Sequence, residues 1–175
     1  MKAMNNVKPF EPGAKTISAG IIIKCPSGIL MCHPNERPDA KGNWDIPKGQ
    51  VEDGENYFDA MVRELKEETG LDFWKIPNGA YMNVAGLLKY NDFKDLYLFM
   101  VESPKDLDVS KLKCTSMFNS LYSGKEIPEV DKFMLSKDLN YLFPKLKAVV
   151  EPTIKKFAND EHIDVDFDMD DFDVD

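Results

Sequence analysis

The chain has 175 residues, 43% hydrophobic and 11% aromatic. That is enough for one domain with a buried core, which excludes global disorder. Its formal net charge of −9 argues against polyphosphate or nucleic-acid partners, which an acidic mean field repels. The charge is unevenly placed, however: residues 160–175 hold nine acids and no Lys or Arg, leaving 22 acids against 22 bases in the rest.

The N-terminal MKAMNNVKPFEPGAK lacks an apolar segment of the signal-peptide kind. No run approaches the roughly 18 apolar residues that a membrane span needs. Thr16–Lys24 is β-branched and apolar and predicts a strand, with Pro26-Ser27-Gly28 as a turn and Ile29–Cys32 pairing back. Cys25, Cys32 and Cys114 are odd in number and lack C-x-x-C spacing. They point to reduced thiols in a cytoplasmic protein rather than to disulfides or zinc. Residues 33–43 read as a polar loop, and Trp44-Asp45-Ile46 as a short strand ending at Pro47.

Glu55–Thr69 predicts the strongest helix, with Asp53 as N-cap and Gly70 as the residue that stops it. Tyr81–Tyr90 and Leu96–Glu102 predict two strands joined around Asn91-Asp92, and Lys111–Phe118 a further one. Residues 119–130 read as a loop and Phe133–Leu135 as a short strand. Ser136 is placed to cap a helix over Lys137–Phe143. A last helix from Pro144 to Phe157 turns Leu146, Val149, Val150 and Ile154 inward, with a kink or break expected at Pro152. Strands, helix, strands and helices in this order predict an α+β or layered α/β/α domain.

Glu64, Glu67 and Glu68 stand at i, i+3 and i+4 on the predicted helix, within about 100° of arc. The apolar stripe of Phe58, Met61, Val62 and Leu65 centres about 110° away. Such a carboxylate face is either a solvated surface or a site for a hard cation such as Mg²⁺ or Mn²⁺. With only Arg37 and Arg63 beside twenty lysines, a role needing a rigid guanidinium fork has two candidates.

Gly49–Leu71 matches every fixed position of G-x5-E-x7-R-E-U-x-E-E-x-G-U, where U is bulky and aliphatic. The matching residues are Gly49, Glu55, Arg63, Glu64, Leu65, Glu67, Glu68, Gly70 and Leu71. By this box the chain resembles the Nudix hydrolase family, strictly over those 23 residues and by element order over about 15–158. The resemblance implies an α/β Nudix-type α/β/α sandwich with a mixed β-sheet over residues 1–158, followed by an acidic tail, 159–175. It implies a Mg²⁺- or Mn²⁺-dependent enzyme in which water attacks a pyrophosphate link. Glu67, Glu68 and the Gly49 carbonyl would be metal ligands, and Glu64 would bind metal or orient the water. Arg63 would aim the helix carboxylates, and Glu55 would help to hold that arrangement. The general base often lies outside the box in this family; Glu129 is the candidate here, with Glu126 as the alternative.

Lys48 can present its ammonium to substrate phosphates. The Pro47-Lys48-Gly49 start resembles members acting on dinucleoside polyphosphates, diphosphoinositol phosphates or RNA 5′ ends. Tyr90 lies close to, though slightly past, the tyrosine that marks many dinucleoside polyphosphate hydrolases. Trp44, Trp74, Tyr81 and Tyr90 could each stack a base or sit in the core. Signatures of NADH-, coenzyme-A- and ADP-ribose-preferring members are missing. The reading is therefore hydrolysis of a nucleoside diphosphate linked to another group, leaning to dinucleoside polyphosphates. RNA 5′ ends, ADP-ribose and nucleoside triphosphates are the alternatives. A non-catalytic nucleotide-binding adaptor recruited through its tail is the rival from another class.

Residues 159–175 alternate acids with Ile163, Val165, Phe167, Met169, Phe172 and Val174. This segment reads as a solubilising tail, a docking segment for a protein partner, or a competitor that folds onto the chain's own lysines. Asp164, Asp166 and Asp168 do not make a calcium loop, because Met169 replaces the required glycine.

Overall fold

Thr16–Cys25 alternates residues between two cores, and that alternation organises the molecule. The computed structural model describes residues 15–77 and 80–158; the lead-in 1–14 and the acidic tail 159–175 lie outside the described residues. The strands are β1 (Thr16–Cys25), β2 (Gly28–Pro34), β3 (Lys48–Gln50), β4 (Tyr81–Asn91), β5 (Lys94–Glu102), β6 (Met117–Asn119), β7 (Glu126–Pro128) and β8 (Val130–Ser136). The helices are α1 (Tyr57–Thr69) and α2 (Pro144–Ala158). The main sheet runs β4-β5-β1-β2-β8, with β3 paired to β1; β6 and β7 form a separate hairpin. It is mixed, because β1 runs parallel to β5 from Thr16↔Lys94 to Lys24↔Glu102, while its other pairings are antiparallel.

Ala19, Ile21, Ile23 and Cys25 of β1 join Ala60, Met61 and Leu65 of α1 in one core. Ile22 faces the other way, into a second core with Leu98, Met100 and the α2 residues Leu146, Val150 and Phe157. The sheet is thus covered on both faces, which is the expected α/β/α sandwich. Trp44 is buried in the α2-side core, and Trp74 packs on Phe58 and Phe73. The three cysteines are buried free thiols. Among the described residues no helix is long and apolar enough to cross a membrane.

Several local expectations need correction. Helix α1 starts at Tyr57, because Asn56 rather than Asp53 accepts the first-turn N–H, from Asp59 at 2.7 Å. Gly70 closes the helix at φ 77, where any Cβ would press on the Lys113 carbonyl. Trp44 and Asp45 make only isolated bridges, to Leu142 and Cys32, and the strand follows Pro47 instead of ending there. Of Lys111–Phe118 only the last two residues are extended within β6, and the loop 119–130 contains β7. Lys137–Phe143 holds only a 3-10 turn, Leu139–Tyr141, capped by Asp138. Helix α2 is not broken at Pro152, where Thr153 Oγ1 donates to the Val149 carbonyl at 2.8 Å.

Candidate active site

Strand β3 lies between β1 and α1, held by Ala19↔Gly49 and Ser18↔Gln50. The Glu64 carboxyl group rests directly on the Gly49 α-carbon, and any Cβ there would overlap it. Glycine is needed at this position for close approach.

Arg63 is the hub of the carboxylates. Its Nε and Nη2 donate to Glu55 at 2.7 and 3.0 Å, and Nη1 reaches Glu64 at 2.8 Å and Glu67 at 3.2 Å. Nη2 also donates to the Gln50 carbonyl at 2.9 Å, tying the helix to β3. Glu55 can grip the guanidinium from one side because it precedes the helix, steadied by the Glu52 N–H at 2.9 Å. The bond from Arg63 holds the Glu55 carboxyl below its usual range, against the effect of burial.

Glu64, Glu67 and Glu68 line one groove of about 530 Å³ together with Gly49, Lys48 and Glu129. Burial raises the Glu64 carboxyl despite Arg63, and Glu67 and Glu129 add to the rise. Burial, then Asp45 and Glu64, push Glu68 up to about 9, although the Lys48 N–H donates to it at 3.0 Å. Glu129 belongs to this carboxylate group, whereas Glu126 is exposed on β7 opposite Asn119.

Lys48 Nζ lies 3.2 Å from Asp45 Oδ2 and 5.8 Å above the centre of the Tyr90 ring. Burial lowers the Lys48 ammonium, but Asp45, Tyr90 and Glu68 outweigh it and its pKa rises. Tyr90 is half-buried against the α2-side core.

Three features were missed from the sequence. Asp45 acts on Glu68 and pairs with Lys48; an acid four residues before the box was the available signal. The loop before β6 clamps the end of α1: Thr115 N, Thr115 Oγ1 and Ser116 N all donate to the Glu67 carbonyl, and Lys113 N to that of Thr69. A second cavity, of about 350 Å³, shares Glu68 and Glu129 with the groove and is walled by Cys32, Pro34, Asn35, Asp45, Phe118 and Val130. Its walls come from β2, β6, β8, α1 and the segments between strands, so no local pattern announces it.

Among the described residues no three His, Cys, Asp or Glu side chains already close around one point. Arg63 bridges Glu64 and Glu67 instead. The donor set nevertheless fits a hard divalent cation: all oxygen, mutually repelling, partly buried, and backed by a glycine that lets carboxylate and strand meet.

A family model for the NUDIX domain matches residues 14–157. The chain is 35% identical over 127 residues to an uncharacterized 17.7 kDa protein of Enterobacteria phage T4, covering 69% of this chain and 82% of that one. It is 58% identical over 72 residues to Nudix hydrolase 10 of Arabidopsis thaliana, covering 40% of this chain but only 24% of the plant protein. A crystal structure of an ADP-ribose pyrophosphatase from Streptococcus suis superposes with a TM-score of 0.54 at 18% identity, over 85% of this chain and 96% of that one. At that identity the likeness is one of fold.

Proposed function

The chain belongs to the Nudix hydrolase family, and from that premise we propose that it hydrolyses the pyrophosphate link of a nucleoside diphosphate joined to a second group. The observation that carries this reading is the convergence of Glu64, Glu67, Glu68 and Glu129 on one groove, where a single guanidinium holds Glu64 and Glu67.

Glu64, Glu67, Glu68 and the Gly49 carbonyl would hold Mg²⁺ or Mn²⁺. Such a cation neutralises phosphate charge and makes bound water more acidic. Glu129, on the wall of the same groove, accepts the proton of the attacking water. Arg63 keeps Glu64 and Glu67 from splaying, and Glu55 keeps Arg63 in place. Lys48 contributes positive charge beside the phosphates, its direction fixed by Asp45.

A dinucleoside polyphosphate suits the site best. A charged groove adjoins a cavity of a size for one base, with Cys32, Pro34, Phe118 and Val130 as its apolar side and Asn35 and Asp45 as polar groups, and the Lys48–Tyr90 pair stands near the groove for the far end of the phosphate chain. The test is a Mn²⁺- or Mg²⁺-supplemented panel of dinucleoside polyphosphates, ADP-ribose, NADH, nucleoside triphosphates and 5′-triphosphate or capped RNA, with products identified by mass. Highest kcat/KM on a dinucleoside polyphosphate supports the reading. Highest kcat/KM on RNA or ADP-ribose replaces the substrate, and binding without turnover points to the adaptor alternative.

A further inference from the structure

Glu129 lies between β7 and β8, where no sheet ladder fixes it, yet its backbone is held on both sides. Its N–H donates to the Ser116 carbonyl at 2.8 Å, so it hangs from the same loop that clamps the end of α1. Its own carbonyl accepts from the Asn35 N–H at 2.8 Å. One peptide earlier, Asn35 Nδ2 donates to the Pro128 carbonyl at 3.0 Å. Asn35 therefore grips the two peptides that flank the Glu129 α-carbon, one through its backbone and one through its side chain.

Two further observations point the same way. The β2–β8 register slips between His33 and Pro34: His33 faces Lys132 and Pro34 faces Val130, leaving Asp131 unmatched. A bulge of this kind re-aims neighbouring side chains. This one is anchored, with Asp131 Oδ1 2.5 Å from the Nδ1 of buried His33. The Asn35 side chain is itself oriented, because its Oδ1 accepts from the Glu36 N–H at 2.9 Å. Glu36 takes φ 68, a left-handed conformation that is costly for a glutamate. The turn thus carries backbone strain in the same place where it holds Asn35 against the Glu129 segment.

We propose that Asn35 is a positioning residue for hydrolysis, fixing the Glu129 carboxylate over the groove by holding the peptides before and after it. The inference rests on the reading of Glu129 as proton acceptor. Asparagine suits the task because one side chain offers a donor to Pro128 and an acceptor to Glu36. Aspartate keeps the acceptor, loses the donor, and sets a negative charge against the Pro128 carbonyl. Alanine loses both without adding charge.

The experiment is steady-state kinetics on the best substrate for wild type, Asn35→Asp, Asn35→Ala, Glu129→Gln and the Asn35→Ala/Glu129→Gln pair, with a thermal melt of each. Asn35 also lines the 350 Å³ cavity, so the split between the constants decides its role: displacing a base by about 1 Å lowers kcat by roughly 10- to 100-fold while KM stays within about threefold, whereas a lost substrate contact raises KM and leaves kcat unchanged. Both Asn35 variants should show the first of these patterns and still melt cooperatively. The double variant should be no slower than Glu129→Gln alone. The proposal is overturned if either folded Asn35 variant keeps kcat within about twofold of wild type. It is equally overturned if the loss recurs in full on the Glu129→Gln background, or if both Asn35 variants lose cooperative melting. A fully active Glu129→Gln beside an inactive Glu68→Gln removes this inference but leaves the hydrolase reading standing. A wild type inert across the panel removes both.

Discussion

Arg63→Lys keeps the charge of the hub and removes its shape. The guanidinium makes five hydrogen bonds, two to Glu55 and one each to Glu64, Glu67 and the Gln50 carbonyl. A lysine ammonium has three donors on one atom and cannot span all four groups, so at least two bonds are lost. The Arg63 side chain is 23% exposed. After allowance for solvent screening, each lost bond is worth about 1–1.5 kcal/mol, for a total of about 2–3 kcal/mol. In a domain of this size that lowers Tm by about 5–10 °C. Glu64 and Glu67, no longer drawn to one nitrogen, move apart, and misplacement of about 1 Å costs kcat about 100-fold. Thermal melts and saturation kinetics with Mg²⁺ measure both effects. A variant with kcat within about threefold of wild type refutes the idea that the fork organises the site.

Three further outcomes follow from the same geometry. Gly49→Ala should fold but lose at least about 10-fold in kcat, because its Cβ displaces the Glu64 carboxyl group; unchanged kinetics contradict the close approach. In chelator, wild-type stability should fall as pH rises from about 5 toward 9. Folded Glu68 keeps a proton, with its carboxyl pushed up to about 9, that the unfolded chain has already released, so its contribution is full below the ordinary carboxylate range and lost as pH rises through the folded value. Glu68→Gln should flatten that slope in melts at pH 5, 7 and 9; an equal slope in both proteins removes Glu68 as its source. Thr115→Val should cost about 0.5–1.5 kcal/mol in denaturant unfolding through loss of the Oγ1–Glu67 bond, while Thr115→Ser should cost less. A Thr115→Val as stable as wild type removes the Oγ1–Glu67 bond as a contributor.

Much of the fold was legible because its determinants are local. The apolar spacing Met61–Leu65 and the stop at Gly70 define α1 without reference to the rest of the chain. The carboxylate face needs only helical geometry, and Gly49 and Arg63 lie within one 23-residue window. What stayed hidden depends on distant partners. The alternation Leu112-Lys113-Cys114-Thr115 resembles a strand, but the Lys113 and Thr115 N–H groups bond to the last carbonyls of α1 rather than to a neighbouring strand. Asp53 was the expected cap, and only the fold shows that Asn56 takes that role and that Glu55 stays outside the helix, where it meets Arg63. Pro152 was expected to kink or break α2; the helix is not broken, because Leu146, Val150, Thr153 and Phe157 are buried on both sides of it and tertiary packing carries the helix past the proline. Glu129 was only a candidate in the sequence, because its approach to Glu64 is set by the β8 register and the Ser116 contact.

The central claim is that water attacks phosphorus in a groove organised by Glu64, Glu67 and Glu68. It is tested most directly by turnover of the best substrate in ¹⁸O-labelled water with Mg²⁺ or Mn²⁺, comparing wild type with Glu68→Gln. The account predicts one labelled oxygen on a product phosphate for wild type. For a folded Glu68→Gln it predicts turnover lower by at least about 100-fold. Label in a sugar hydroxyl, or undiminished turnover by Glu68→Gln, would contradict it.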